Sequence, residues 1–419
     1  MILLAVYAGI FAVAAFIFTR IGVKKDGYTA LKTVTFGDES AVRPNRAAGI
    51  ISIATLFLLW GMFTGSSLIP SFLHAPAPFK GETSFEYTVE ANGETDTAIV
   101  SVLVHGREES PAAPEVAPGE GFAKNDSIKV AQYRSQLVSF DKNDDFKKAD
   151  GAKVIAINGT KVAPGSTVEI AGGSVTISDK GTPNFSPDNG LQMEPLYLPS
   201  PEAVIERSGK VLEEGFRGTS LLGHLGWSLF RVVAGFVCGA VVGIPLGYAM
   251  GLSNWFRGWF DPIVEFMRPV PPLALIPLVI IWAGIGETGK IILLFLAALW
   301  IMAIAARSGV SGVNISKVHA AYSLGASKWQ IMRHVIIPNS LPEIFTGARV
   351  AMGVCWGTVV AAELVAAEQG AGMMIMVASK FQNTDIVILG IILIGVIGFG
   401  IDMLMRGAER ILVPWKGKG

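Results

Sequence analysis

Residues 319–342 read HAAYSLGASKWQIMRHVIIPNSLP, a polar interval set between long apolar segments. The small pair Ala320 and Ala321 lies one helical turn before Gly325, and a second helical stretch over 327–335 follows at once. Glycine at the junction suits a tight turn, because without a Cβ it reaches backbone conformations that cost other residues. Pro338 and Pro342 are expected to close the segment, since proline lacks the backbone donor a continuing helix needs. Small residues around a glycine turn make a compact helix–turn–helix whose surface can sit in a groove of another protein. The stretch therefore predicts an all-α membrane protein that presents one short soluble element between its spans.

Composition agrees. Hydrophobic residues make up 51% of the chain, charged residues only 16%, and mean hydropathy is +0.49, which excludes an ordinary soluble domain. Lysine plus arginine balance aspartate plus glutamate at 34 each, so no nucleic-acid footprint exists. Cys238 and Cys355 both fall in apolar runs and read as small buried packing residues.

A hydrocarbon core of ~30 Å needs about 20 apolar residues as helix. Seven segments meet that measure: 2–18, 50–69, 224–252, 270–284, 291–306, 343–366 and 386–405. The fourth is short and rich in proline. The first lacks the positive leader and small-residue cleavage site of a signal peptide, so it reads as a retained helix. Lysine and arginine collect on the cytoplasmic side of membrane proteins. Arg20, Lys24, Lys25, Lys32, Arg43 and Arg46 therefore put the first loop inside, and Arg257 with Arg268 do the same for a later one. Arg307, Lys317, Lys328 and Arg333 around the glycine turn, and Arg406, Arg410, Lys416 and Lys418 in the tail, also fall inside. Seven spans with an external N-terminus and a cytoplasmic C-terminus satisfy every cluster.

Three regions follow. Residues 1–70 hold two helices and a cytoplasmic loop, residues 71–198 an external insertion, and residues 199–419 a helical core whose soluble loop covers 311–342. The insertion has no run long enough to span a bilayer. Stretches 84–89, 97–104, 153–157, 167–170 and 174–177 have β-branched strand character, and Asn158-Gly159 and Gly172-Gly173 are hairpin turn pairs. A small β-rich domain is the expectation, with a disordered loop as the alternative. Residues 106–121 read as an extended linker, and the charged run 141–150 as a solvated face.

The 319–325 pattern resembles the EAA loop of ABC-importer permeases, in which a glutamate, two alanines, three residues and a glycine form the coupling helix. Here His319 stands at the glutamate position. The resemblance continues through Tyr197-Leu198-Pro199-Ser200-Pro201, Ser228-Leu229-Phe230-Arg231-Val232, Gly243-Ile244-Pro245-Leu246-Gly247 and Asp261-Pro262. It extends over Arg268-Pro269-Val270-Pro271-Pro272-Leu273-Ala274, Trp282-Ala283-Gly284-Ile285-Gly286, Ala361-Ala362-Glu363-Leu364 and the turn at 370–374. This series is similar to the nitrate, sulfonate and taurine branch of binding-protein-dependent permeases, and it runs from 196 to 415, over half of the chain. The extra first helix and the external insertion depart from that branch's usual pattern.

The resemblance implies the permease core of a type I ABC importer, a membrane transport subunit that is not an enzyme and holds no cofactor or metal. It implies two ATPase subunits on the coupling loop, an external substrate-binding protein, surrounding membrane lipid, and a homodimer whose interface forms the pathway by alternating access. The substrate implied is a small anion such as a sulfonate, taurine, nitrate or bicarbonate; related branches carry uncharged or cationic precursors, and no cluster of arginines inside the spans demands an anion. The coupling residues would be His319, Ala320, Ala321, Gly325, Ala326, Trp329 and Met332, with Trp329 and Met332 anchoring the small helix to the body.

Within the spans, Gly243, Gly247 and Gly251 share one helical face and read as a close-packing stripe rather than substrate contacts. Pro269, Pro271, Pro272 and Pro277 interrupt a helix; Pro271 and Pro272 are pathway candidates, with a static kink as the alternative. An ionisable group inside a span is a functional candidate by default. Glu363 is accordingly a candidate gate, although an interfacial carboxylate exposed to external water is the simpler reading. Asp402 and Arg406, four apart, suit an intrahelical ion pair. Gly284 to Lys290 fits G-x-x-x-x-G-K, but Ile291 replaces the magnesium-binding hydroxyl and no soluble strand precedes it, which argues against a nucleotide site. A membrane-anchored sensor or scaffold is the rival reading, and it has no use for so long a motif series. An ion-coupled secondary transporter would display repeated halves and several intramembrane charges.

Overall fold

The computed structural model describes residues 2–20, 46–107 and 109–415. Lys24, Lys25, Lys32 and Arg43 of the first loop, and Lys416 and Lys418 of the tail, lie outside the described residues. The chain forms two compact units, Met1–Glu202 and Ala203–Gly419.

The first unit opens with α1 (Ile2–Arg20) and α2 (Arg46–Thr64), linked by a 2.9 Å hydrogen bond between the Tyr7 and Ser52 hydroxyls. Helix α2 ends five residues short of the expected limit at 69. Nine strands follow: β1 (Gly81–Ala91), β2 (Glu94–His105), β3 (Asp126–Ala131), β4 (Gln136–Leu137), β5 (Lys153–Ile157), β6 (Thr160–Lys161), β7 (Thr167–Ile170), β8 (Gly173–Ile177) and β9 (Pro183–Pro187). They make a five-stranded sheet in the order β3-β2-β1-β5-β6 and a four-stranded sheet in the order β4-β9-β8-β7.

Burial alternates along β1 and β2, as a strand with one face in a core requires. Phe85, Tyr87 and Val89 of β1 join Val100, Val102 and Val104 of β2 in that core, and Phe85 stacks on Phe185 of the other sheet at 6.4 Å. Asn92 and Gly93 turn β1 into β2 with φ of 53° and 86°, and Asn158 and Gly159 do the same between β5 and β6, the left-handed geometry that two-residue hairpins need. All five expected strand stretches are strands. The 141–150 run is largely the solvated face expected of it, with Lys142, Asp145, Lys147 and Asp150 exposed; Asp144 is the exception. Asp144 is buried and accepts the Lys124 amide at 2.6 Å, because Phe140 carries this loop into the core. The insertion ends against its entry point: Trp60 donates to the Pro199 carbonyl at 2.8 Å, and Glu202 accepts from the Ser66 hydroxyl at 2.6 Å.

The second unit is helical. Helix α3 (Pro201–Glu214) leads across the boundary into α4 (Leu221–Leu252), which is capped by the Ser220 hydroxyl. Then come α5 (Asn254–Met267), α6 (Ile276–Ala283), α7 (Glu287–Ser311), α8 (Ile315–Ser323), α9 (Lys328–Ile331), α10 (Ile337–Ala366), α11 (Ala371–Lys380) and α12 (Thr384–Leu412).

Helices α4 and α7 pack along a glycine seam that is longer than the sequence reading allowed. A Cβ built on Gly239 would lie 2.9 Å from the Phe295 carbonyl oxygen, and one on Gly243 2.7 Å from that of Leu299; Gly247 meets Ala303 in the same way. At such separations the backbones themselves are in contact, the arrangement small residues permit between helices in a bilayer.

Two expectations for the core need correction. Segment 270–284 is not one span. A single 3-10 turn, Pro272–Leu275, leads into the eight-residue α6, and the pair α5 and 272–283 is bent by 93°. Pro269, Pro271 and Pro272 each remove a backbone donor, and Pro271, which precedes Pro272, is extended at φ −66° and ψ 133°, so no helix runs through. Conversely, Pro338 and Pro342 do not close the soluble segment. A π turn over Met332–Ile336 leads directly into α10, with Pro338 in its first turn and Pro342 inside it. Among the described residues, five helices are long and apolar enough to cross a membrane, six if the bent pair counts as one; the apolar stretch of α1, Leu4–Ile17, is shorter. Both cysteines are free thiols; Cys355 is buried as expected, whereas Cys238 is exposed on α4.

Candidate functional site

The soluble segment forms from its own local chemistry. Asn314 caps α8 by accepting from the Ser316 amide at 2.9 Å. At the other end Gly325 adopts φ of +80°, its amide bonds the Tyr322 carbonyl at 2.9 Å, and the Ala326 amide bonds that of Ala321 at 3.1 Å. This paired closure with a left-handed glycine is a Schellman motif, which satisfies the last carbonyls of a helix. Ser327 and Gln330 then form a capping box that starts α9. Ala320 and Ala321 sit in the turn before the glycine, and nothing lies within 4 Å of a Cβ built on Gly325.

The surface around this turn is apolar and open. Leu324 is 89% exposed and Trp329 69%, and Tyr322 and Ile315 are exposed as well. His319 and Ala320 are exposed, while Ala321, Ala326 and Met332 are half-buried. Trp329 therefore does not anchor the small helix to the body, contrary to expectation. Ile331, two residues on and facing the other way, is the buried contact.

At the other end of α7 a second constellation appears. A 25-residue helix rises ~37 Å, so Glu287 and Ser311 stand a bilayer's depth apart. Glu363 of α10 is buried rather than exposed to water, which overturns the simpler reading of it. Its carboxylate accepts from Arg231 Nη1 at 2.6 Å, from the Ser228 hydroxyl at 2.8 Å and from the Gly372 amide at 2.9 Å. Arg231, 1% exposed on α4, also gives Nε and Nη2 to the two oxygens of Glu287 at 2.5 and 2.7 Å and Nη1 to the Gln369 carbonyl at 2.8 Å. Lys290 bonds Glu287 at 2.9 Å, so the lysine of the G-x-x-x-x-G-K stretch is committed to an ion pair. His224 receives the Gly370 amide on Nδ1 and bonds the Phe216 carbonyl through Nε2, which assigns the proton to Nε2.

Gly370 has φ of +134°, and any side chain there would strike the Glu363 carboxylate. The turn between α10 and α11 thus folds over the buried acid because glycine allows it. Pro271 and Pro272 precede α6, whose Val279 packs with Leu293 and with Ala362, the neighbour of Glu363. Asp402 and Arg406 pair at 2.7 Å as expected, and Arg349 joins Asp402 and Glu409 there.

Ser228 and Arg231 entered the sequence reading only as members of a motif, Glu287 and Lys290 only within the G-x-x-x-x-G-K stretch and His224 only as the edge of a span, none with a role. The signal was present: one arginine inside an apolar 224–252 run demands a partner at depth, and Glu363 was the acid available.

The family described as "Binding-protein-dependent transport system inner membrane component" matches residues 239–412. The taurine transport system permease protein TauC of Escherichia coli (strain K12) is 46% identical over 227 residues, covering 54% of this chain and 82% of that protein. The putative aliphatic sulfonates transport permease protein SsuC of the same strain is 40% identical over 218 residues, covering 52% of this chain and 81% of that protein. The nitrate import permease protein NrtB of a Synechocystis strain is 31% identical over 226 residues, covering 53% and 82%. The Gly239–Gly247 seam and the capped loop lie within 239–412, and the chain belongs to the binding-protein-dependent inner membrane permeases of ABC importers, in the taurine, sulfonate and nitrate family.

Proposed function

We propose that this chain is the pathway-forming subunit of an ATP-driven importer for a small anion of the taurine, sulfonate, nitrate or bicarbonate class. Two copies form the pathway at their interface, two ATPase subunits dock from the cytoplasm, and an external binding protein delivers substrate. Closure of the ATPases on ATP moves the docked loops and switches the core between inward-open and outward-open packings. In this reading the chain has seven spans, with α1 and the bent pair of α5 and 272–283 each counted as one, and an external N-terminus; residues 71–198 form an external domain that docks the binding protein or shields the entrance.

The observation that carries the reading is the open apolar face of the glycine-closed segment Ile315–Ser323 and its successor α9. Tyr322, Leu324 and Trp329 have no reason to face water unless another protein covers them. Ala320, Ala321 and Ala326 keep the turn low enough to enter a groove, and His319 replaces any carboxylate contact with a neutral or weakly basic one. Glu363 and the bend at Pro271 and Pro272 belong to the moving core.

The test is purification of tagged protein in mild detergent from its native host, with mass spectrometry of what co-elutes. Gly325→Arg is the comparison. It strains the left-handed position by about 1 kcal/mol, and its Cβ has no atom of this chain within 4 Å on an exposed turn, so the permease is expected to stay folded while a docked partner is displaced. A nucleotide-binding subunit found with the native loop and lost with the variant is the expected result. Equal recovery with both refutes the docking assignment.

A further inference from the structure

The two acids that share Arg231 are held in different ways. Glu363 is sealed: a backbone amide, a hydroxyl and one guanidinium nitrogen fix it, and Gly370 closes over it. Glu287 is 42% exposed along its side chain, and its hydrogen bonds come from two buried cations, Arg231 and Lys290. Donors of that kind serve any planar or pyramidal oxyanion as well as they serve a carboxylate, since a guanidinium fork matches two oxygens of one group.

Charge sharpens the contrast. Arg231 and Lys290 are balanced by Glu363 and Glu287, so the cluster is neutral as it stands. If Glu287 swings to the solvent side, where nearly half of it already lies, two buried cations keep one buried anion. A buried uncompensated charge is strongly unfavourable, and a monovalent anion entering in place of Glu287 restores neutrality. The cavity beside Lys290, lined by Val279, Gly284, Leu293 and Ala362, has a volume of about 20 Å³, room for a water and not for a sulfonate. An anion must therefore replace the carboxylate rather than sit beside it. Trp227, 5.8 Å from the Arg231 guanidinium carbon, covers one face of the fork and leaves its edge for the ligand.

We propose that Arg231 and Lys290 form an intramembrane binding site for the oxyanion group of the transported substrate, with Glu287 as its displaceable internal stand-in. This rests on the transport reading above and names the part of the core that would select for anions. Alternation between Glu287 and substrate on the same donors also keeps the cations paired when the pathway is empty.

The experiment is thermal unfolding of the full-length protein in nanodiscs, titrated with sodium methanesulfonate against sodium chloride at equal concentration. A tethered competitor weakens apparent affinity by the fraction of time it leaves the site free. Glu287→Gln is expected to lower the half-saturating methanesulfonate concentration by about tenfold or more, with chloride far less effective. Arg231→Lys in that background is expected to abolish the difference between the two anions, because the fork is gone. Glu287→Asp, which keeps the charge and shortens the reach, gives an intermediate shift and serves if the glutamine variant does not fold.

Equal responses of wild type and Glu287→Gln to methanesulfonate overturn the proposal and leave Glu287 a fixed brace. A stabilisation produced by phosphatidylglycerol nanodiscs, and not added to by methanesulfonate, assigns the donors to a lipid phosphate and overturns it equally. Either failure leaves co-purification of the ATPase untouched, so the two readings fall separately.

Discussion

Replacing Glu363 by alanine removes the acceptor of three buried donors at once: Arg231 Nη1, the Ser228 hydroxyl and the Gly372 amide. Arg231 keeps Glu287 and the Gln369 carbonyl, but Lys290 shares Glu287, so two cations then lean on one half-exposed acid. Breaking a buried pair by deleting one partner costs about 3–5 kcal/mol, mostly the stranded charge. For a unit of the size of Ala203–Gly419, ~1 kcal/mol moves the melting temperature by about 2–4 °C, which predicts a loss of roughly 6–20 °C. Glu363→Gln should lose less, because the amide oxygen still accepts from Gly372. The assay is thermal unfolding of the purified protein in detergent, followed by size-exclusion recovery after heating. A melting temperature for Glu363→Ala within about 2 °C of wild type would refute the reasoning and return Glu363 to the water-exposed interface that its sequence position suggests.

Two further outcomes concern the seam and the β-rich unit. Gly243→Ala forces a methyl to within contact of the Leu299 carbonyl and should destabilise the core by about 1–3 kcal/mol, whereas Gly258→Ala, with open space around it on α5, should be neutral or mildly stabilising; equal melting temperatures for the two variants count against backbone contact between α4 and α7. Burial, reinforced by neighbouring acids, pushes Asp126 and Asp144 up to about 6. The folded unit therefore binds these protons more tightly than the unfolded chain does, so stability rises as pH falls from 7.5 towards 5 and is lost as pH climbs through about 6. Hydrogen exchange of the peptides around residues 121–146, corrected for intrinsic rates, should show more protection at pH 5.5 than at 7.5, and Asp144→Asn should flatten the difference.

Much of this molecule was legible before any coordinates. Apolar length marked the spans, β-branched content between turn pairs marked β1, β2, β5, β7 and β8, and the Ala-Ala-x-x-x-Gly spacing marked the segment closed by Gly325. These features are local: each depends on residues within a turn or two, where backbone sterics and side-chain periodicity act alone. Pro338 and Pro342 misled because a proline removes one backbone bond without always ending a helix: Pro338 falls where the π turn meets α10, and Pro342 is carried inside α10.

The sequence by itself determined an apolar, many-helix membrane chain with a strand-rich insertion and a glycine-closed loop, because composition and short-range spacing carry that information; that the chain is a permease rested on the resemblance of its motif series. Tertiary structure decided the rest. Whether Glu363 meets water or Arg231 depends on how α4, α7 and α10 pack, through residues 132 positions apart. Only that packing shows that Glu363 is sealed and Glu287 partly exposed, since burial and the donors around a charge are properties of the fold.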